Sequence, residues 1–183
     1  MRATEDLKQE HRVIELVLTA LEGMAQQLER GNLLRREPAE RALEVVRNFA
    51  DKCHHGKEER YLFKRLETRG MSRQTGIISE LLHEHGEGRA HVRAFARALV
   101  GACENNPQDG RAFAQHAQGY VTLLRKHIQK EDDVFFPMAD QKLTPEDDAE
   151  LMEAFEKIER EEIGEGAHEK YHRWAVELAH QKE

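Results

Sequence analysis

His54-His55-Gly56-Lys57-Glu58-Glu59-Arg60-Tyr61-Leu62-Phe63 and His127-Ile128-Gln129-Lys130-Glu131-Asp132-Asp133-Val134-Phe135-Phe136 are one pattern written twice. Both read histidine, two residues, lysine, glutamate, an acid, two residues, an apolar residue and phenylalanine. Upstream of each copy the pair Glu10-His11 recurs as Glu84-His85 at nearly the same offset. A chain that repeats itself in this way is built from two copies of one unit. Each unit supplies a lone histidine on a first helix and a His-x-x-x-Glu pair on a second. Residues i and i+4 lie one turn apart on one helical face, so imidazole and carboxylate can converge on the same ion.

Working outward from the repeat, breakers divide the chain into four helical stretches. They cover about 4–30, ended by Gly31-Asn32; about 38–68, opened by Pro38 and ended near Gly70; about 72–101; and about 107–136, closed by Pro137. In the first, Leu7, His11, Ile14, Leu18, Leu21, Ala25 and Leu28 recur at steps of four and three, the stripe of a helix facing a core. The third repeats this with Ile78, Leu81, His85, Gly88, Val92, Phe95 and Leu99, and the fourth with Phe113, Tyr120, Leu124, His127, Glu131 and Phe135. The second places Val46, Ala50, His54, Glu58 and Leu62 on one face. Short connections imply antiparallel neighbours. The expected architecture is all-α, an antiparallel up-down four-helix bundle over residues 1–138, with one or two extra C-terminal helices packed on it over 139–183. One of these begins at Thr144-Pro145, a cap followed by an acceptable first-turn proline, and another follows the Gly164-Glu165-Gly166 break, carrying His168 and His172.

Composition supports helix and narrows the function. Of 183 residues 34% are charged and only four are proline, in long Ala/Leu/Glu/Lys/Arg-rich runs. The net charge of -7 is mild and the basic residues are scattered among acids, which argues against a nucleic-acid partner. No apolar run reaches a membrane span and MRATEDLKQEH is no signal peptide, so the expected location is cytoplasmic. Cys53 and Cys103 form no CxxC pair and imply no disulfide framework.

Eleven histidines is a high count, and four of them lie on apolar stripes at one depth. Counted from the shared end of an up-down bundle, His11, His54, His85 and His127 fall roughly 10 to 20 Å in at 1.5 Å per residue. Glu58 and Glu131 occupy the same inward faces, and two buried carboxylates are costly unless neutralised or bound to a cation. His11, His54, Glu58, His85, His127 and Glu131 are therefore the expected metal ligands. Four imidazoles and two carboxylates suit iron, and the absence of a thiolate set argues against structural zinc. Two ions fit six ligands if both glutamates bridge. Tyr61 and Tyr120 lie near the same depth and read as core packing, while His55, His83, His91, His116 and His180 fall off the stripes and read as solvent-facing.

Residues 4–138 resemble the hemerythrin-like family of HHE cation-binding domains through His54-His55-x-x-Glu58-Glu59, Glu84-His85 and His127-x-x-x-Glu131-Asp132-x-x-Phe135-Phe136-Pro137. The resemblance implies a four-helix bundle around two non-haem iron ions, oxo- or hydroxo- and carboxylate-bridged. It associates the chain with binding of dioxygen, with oxygen or iron sensing, and with handling of peroxide or nitric oxide under oxidative stress. Fold analogy alone does not choose among them. The chain departs from the family's oxygen carriers at two points. Arg89 stands where they place a second histidine four residues after the third-helix ligand. Their last carboxylate falls five residues after histidine, which would select Asp132, whereas the internal repeat favours Glu131. Lys64 also replaces a proline often found after the Leu-Phe pair.

The missing histidine invites a replacement, for which His168 and His172 on the appended helix are candidates. The expected function is a di-iron site that binds or reacts with a small oxidant, including a catalase- or peroxidase-like activity. The alternatives are a redox-sensing module whose tail passes a signal to a partner, and iron storage or ferroxidase work. The last ranks third because ferritin-like bundles use Glu-x-x-His with the carboxylate first.

Overall fold

The computed structural model describes residues 1–164 and 166–180, and every regular element among them is helical. The helices are α1 (Arg2–Glu29), α2 (36–68), α3 (Ile77–Cys103), α4 (107–140), α5 (145–163) and α6 (Ala167–His180). Glu165, in the middle of the glycine break before α6, lies outside the described residues.

Local chemistry sets the helix ends. Gly31 and Gly70 take positive φ of 82° and 83°, and the following amides reach back to the Gln27 and Leu66 carbonyls, closing α1 and α2 by a left-handed C-terminal turn. Asn105, at φ 62°, ends α3 in the same way, and Asn106 then accepts from the Gln108 and Asp109 amides to cap α4 ahead of Pro107. Thr144 and Asp147 form a reciprocal capping box at the start of α5. Helix α3 begins at Ile77 rather than near 72, because Gly76 adopts φ 73°, ψ -156°, a conformation essentially confined to glycine.

Proline 137 does not close α4, contrary to the sequence expectation. The turn Glu131–Phe135 is π-helical, and the Phe136 amide bonds five residues back to the Glu131 carbonyl. Pro137 stands where the hydrogen bonding steps back from that wider register to the α register, so its missing N–H costs little, and α-helix continues over Phe136–Asp140. Helix α2 is wound in the same way, with π-helical segments at Val46–His55 and Glu58–Leu62.

Polar contacts fix how the helices lie. Asp6 and Glu10 of α1 meet Lys57 and His54 of α2, while Arg12 and Glu22 meet Asp132 and Arg125 of α4. Asp51 and Glu59 of α2 meet Arg89 and His85 of α3, and Glu84 and His91 of α3 meet His127 and His116 of α4. In each pair the contacts run in opposite order along the two helices.

The apolar interior is split into two clusters. One gathers Ile14, Leu18, Phe49, Phe95, Phe113 and Tyr120 with Tyr171, Ala175 and Leu178 of α6. The other gathers Leu7, Phe63, Leu66, Phe135 and Phe136 with Leu151 and Phe155 of α5. Each large side chain so buried contributes roughly 1.5–3 kcal/mol, so α5 and α6 are part of the interior and not loose additions. Asp148 of α5 also accepts from the Arg2 and Ala3 amides, satisfying the open N-terminus of α1. Among the described residues no helix is long and apolar enough to cross a membrane.

Candidate metal centre

Between the two apolar clusters lies a slab of buried polar side chains. Helix α1 contributes His11, α2 contributes His54, His55 and Glu58, α3 contributes His85, and α4 contributes His127 and Glu131; none exposes more than 3% of its surface. Two groups of convergent donor atoms result: His11, His54, Glu58 and Glu131, and His55, Glu58, His85 and His127, each with all its atoms within 4.8 Å of one another. Glu58 belongs to both.

The imidazoles meet in pairs. Nε2 of His11 is 3.0 Å from Nε2 of His54, and Nε2 of His85 is 3.1 Å from Nε2 of His127. The carboxylates lie across the pairs. Glu58 Oε1 is 3.9 Å from His54 and Oε2 is 3.4 Å from His85, while Glu131 Oε2 is 3.2 Å from His11 and 3.3 Å from His127.

The repeated motif explains the surrounding shell. Glu10 and Glu84, the residues before the lone histidines, accept from Nδ1 of His54 and His127 at 2.8 Å. The acids after the ligand glutamates cross to the other unit, Asp132 taking Nδ1 of His11 at 2.7 Å and Glu59 taking Nδ1 of His85 at 2.8 Å. Lys57 donates to Glu10 at 2.7 Å and Lys130 to Glu84 at 2.6 Å. Every residue type in H-x-x-K-E-acid thus has a place in the slab.

This shell settles the protonation state. A carboxylate only accepts, so each Nδ1 carries the ring proton and each Nε2 presents a lone pair inward. Burial lowers the pKa of all four rings, to about 3 for His54 and about 4 for His127, so none is charged near neutrality. Burial pushes Glu58 up to about 8 and Glu131 well above the carboxylate range, the latter raised further by Glu58 itself. Burial alone would raise Glu10 as well, but His168, His54 and Lys57 hold it far below the usual range.

Two lone pairs facing each other at 3 Å repel, and neither oxygen of Glu58 or Glu131 accepts a hydrogen bond. Orphaned buried acceptors are rare in folded proteins and ask for a partner. A cation between them supplies one, with neutral imidazole and carboxylate donors and proton-fixing carboxylates behind the rings, the arrangement metal-binding histidines adopt. The residues fit bound metal.

All six residues expected as ligands stand in the two groups. Asp132 stands instead behind His11, also paired with Arg12. The tail histidines are elsewhere: His168 Nε2 lies 3.3 Å from Glu10 and its ring packs on Phe49, and His172 is exposed. Tyr120 is buried against Phe95, as core packing requires, and Tyr61 packs on the edge of the second cluster. His83 and His180 are exposed as expected, whereas His91 and His116 are half-buried against each other.

His55 corrects the sequence reading. It is buried, not solvent-facing, its ring stacked on His85 with centroids 3.9 Å apart and its Nε2 without a partner. Counting at 3.6 residues per turn placed it beside the stripe. The π-helical winding of Val46–His55 packs more residues into each turn and draws His55 inward with His54. The outer acids and lysines were missed differently, because their recurrence in both copies was the signal and their roles needed the cross-helix contacts.

The family model for the hemerythrin HHE cation binding domain matches residues 2–139. The chain is also similar to uncharacterized proteins of Mycobacterium bovis and of two Mycobacterium tuberculosis strains, each 26% identical over 163 residues, which is 89% of this chain. It spans 63% of the length of these relatives. No solved structure matches it.

Proposed function

The chain belongs to the hemerythrin HHE cation-binding domain family, and from that membership we propose that it holds two non-haem iron ions and binds or reacts with dioxygen, peroxide or nitric oxide. The observation that carries this reading is the pair of buried carboxylates, four oxygens without a hydrogen bond, lying across two facing pairs of imidazole lone pairs. On this reading His11 and His54 would hold one ion and His85 and His127 the other, with Glu58 and Glu131 as the carboxylate donors placed between them. Residues 1–138 would form an up-down four-helix bundle, on which α5 and α6 pack, in a cytoplasmic protein.

When bound and reduced, the iron pair supplies electrons and open coordination positions for a small ligand. The chain's own residues do the rest. Asp132, Glu10, Glu59 and Glu84 hold the Nδ1 protons, which keeps each Nε2 unprotonated and aimed inward. Glu58 and Glu131, reluctant to ionise alone, would be the carboxylates that balance the positive charge of bound metal. Phe63, Phe135 and Phe136 on one side, and Phe49 and Tyr120 on the other, keep bulk water from the slab.

The test loads the protein with ferrous iron under nitrogen, then admits air, peroxide or nitric oxide while recording bound iron and the visible spectrum. A reversible spectrum with dioxygen identifies carriage, and repeated loss of peroxide with evolution of oxygen identifies an enzyme. A protein that takes up no iron sinks the proposal. A sensing role is the second reading, and the contact of His168 on Glu10, which itself holds His54, favours it by linking α6 to the site. One stoichiometric oxidation, with changed hydrogen exchange in α6, distinguishes it.

A further inference from the structure

The second group of donors contains a residue that the six-ligand reading leaves out. His55 is buried, its Nε2 stands unpartnered, and one of its ring nitrogens lies within 4.8 Å of donor atoms from Glu58, His85 and His127. A neutral imidazole nitrogen facing the solvent or a hydroxyl needs no explanation. One on a ring packed against other imidazoles and grouped with a carboxylate whose oxygens are unsatisfied does.

The other side of the ring is supported. His55 Nδ1 lies 3.4 Å from Asp51 Oδ1, one turn earlier on α2. Asp51 is in turn held by Arg89, whose Nε donates to the same Oδ1 at 2.7 Å. The guanidinium also donates through Nη2 to Glu59 at 2.7 Å, the carboxylate that orients His85. Arg89 occupies the α3 position where the oxygen carriers place a histidine, but its fork donates to two carboxylates. A planar, always-charged fork suits holding two acids in fixed geometry.

Deepening the di-iron reading and resting on it, we infer that His55 is a ligand of the ion held by His85 and His127, taking from α2 the place of the histidine absent at Arg89. Asp51 and Arg89 are positioning residues, Asp51 for His55 and Arg89 for both Asp51 and Glu59. The centre then has three histidines on one ion and two on the other, with Glu58 shared. His55 stacks on His85 with an interplanar angle of 17°, so the two side chains stand next to each other in the slab.

The experiment titrates metal-free protein with ferrous iron under nitrogen and records bound iron and the Mössbauer spectrum for wild type, His55→Ala, Asp51→Asn and His55→Ala/Arg89→His. Two irons per wild-type chain with two distinct sites are expected. His55→Ala should fall to about one tightly held iron, losing the site with more nitrogen ligands. Asp51→Asn, at a half-exposed position, should keep both sites but weaken the second iron about 10- to 100-fold. The double variant, with a histidine returned to the family position, should regain the second iron. His55→Ala retaining two irons with an unchanged spectrum would overturn the inference while leaving the di-iron reading intact. Wild type that binds no second iron would overturn the di-iron reading itself. If His55→Ala does not fold, unchanged iron affinity in Asp51→Asn overturns the inference instead.

Discussion

Glu58 shows how one residue can be a burden to the metal-free chain and a necessity to the loaded one. It is fully buried, accepts no hydrogen bond, and burial raises its pKa to about 8. In the unfolded chain it ionises near 4.5, so the folded metal-free state holds its proton more tightly. Its contribution is therefore fully present below about pH 4.5 and is lost as pH rises through about 8. His54 and His127 act in the opposite sense. Their folded pKa values lie near 3 and 4, below the ordinary 6.5, so their stabilising effect is present above pH 6.5 and fades as pH falls toward 4. Glu58→Gln should stabilise the metal-free protein by roughly 1–3 kcal/mol at pH 8.5 and change little at pH 4.5, as urea unfolding would read. The same variant should lose iron, since Glu58 stands in both donor groups. A Glu58→Gln protein weakened equally at both pH values would mean that the carboxylate is satisfied inside the chain after all. At this scale the sequence disclosed every residue that an α-helical stripe can show. His55 escaped because the stripe was counted in the wrong winding, and Asp132 was ambiguous because a spacing of four or five does not say which carboxylate reaches the slab and which turns to His11.

Helix α2 and helix α4 carry the same motif and end up differently covered, which is a property of the elements packed on them. Lys57 is fully buried, donating to Asp6, Glu10 and Glu159 and lying 5.2 Å from the Phe155 ring centre. Lys130, its counterpart, keeps 28% of its side chain in solvent and reaches Glu84 and Glu80. The difference is α5, which supplies both Glu159 and Phe155 to the α2 side. Removing one partner of a buried charge pair strands the other, so Lys57→Met should cost about 3–5 kcal/mol. Lys130→Met, nearer water, should cost less than about 1 kcal/mol. Equal losses in guanidinium unfolding would contradict the coverage by α5. Helix existence was legible from breakers and periodicity, as Gly31, Gly70 and Thr144-Pro145 bear out. The π-helical turns that begin at Glu58 and Glu131 were not, because they reflect tertiary demands on two carboxylates and leave no local signature. Pro137 therefore reads as a stop in sequence and is passed in the fold.

Across the whole molecule, a polar slab separates two apolar clusters that would otherwise join, and what lies in the slab decides how firmly one half is tied to the other. Four helices cross it, each bringing at least one donor: His11 from α1, Glu58 from α2, His85 from α3 and Glu131 from α4. These donors stand with paired ring nitrogens 3.0 and 3.1 Å apart and with carboxyl oxygens that lack a hydrogen-bond partner, so cohesion comes from the clusters and not from the slab. A cation bound there would link the four helices at once. That coupling is a property of the assembled fold, and the repeat in the sequence announced the donors without disclosing that the cores part around them. A metal ion at a hundred times its dissociation constant would add about 2.7 kcal/mol to folding stability by mass action. For a chain of this size that corresponds to a rise of about 5 to 10 °C in melting temperature. The amides most protected by metal should be those of α2 and α4 beside the slab, with those near Phe95 and Phe113, deep in one cluster, changing least. Differential scanning calorimetry and hydrogen exchange on chelated and iron-loaded protein measure both. A rise in melting temperature with protection confined to the chain ends would mean that the metal binds outside the slab.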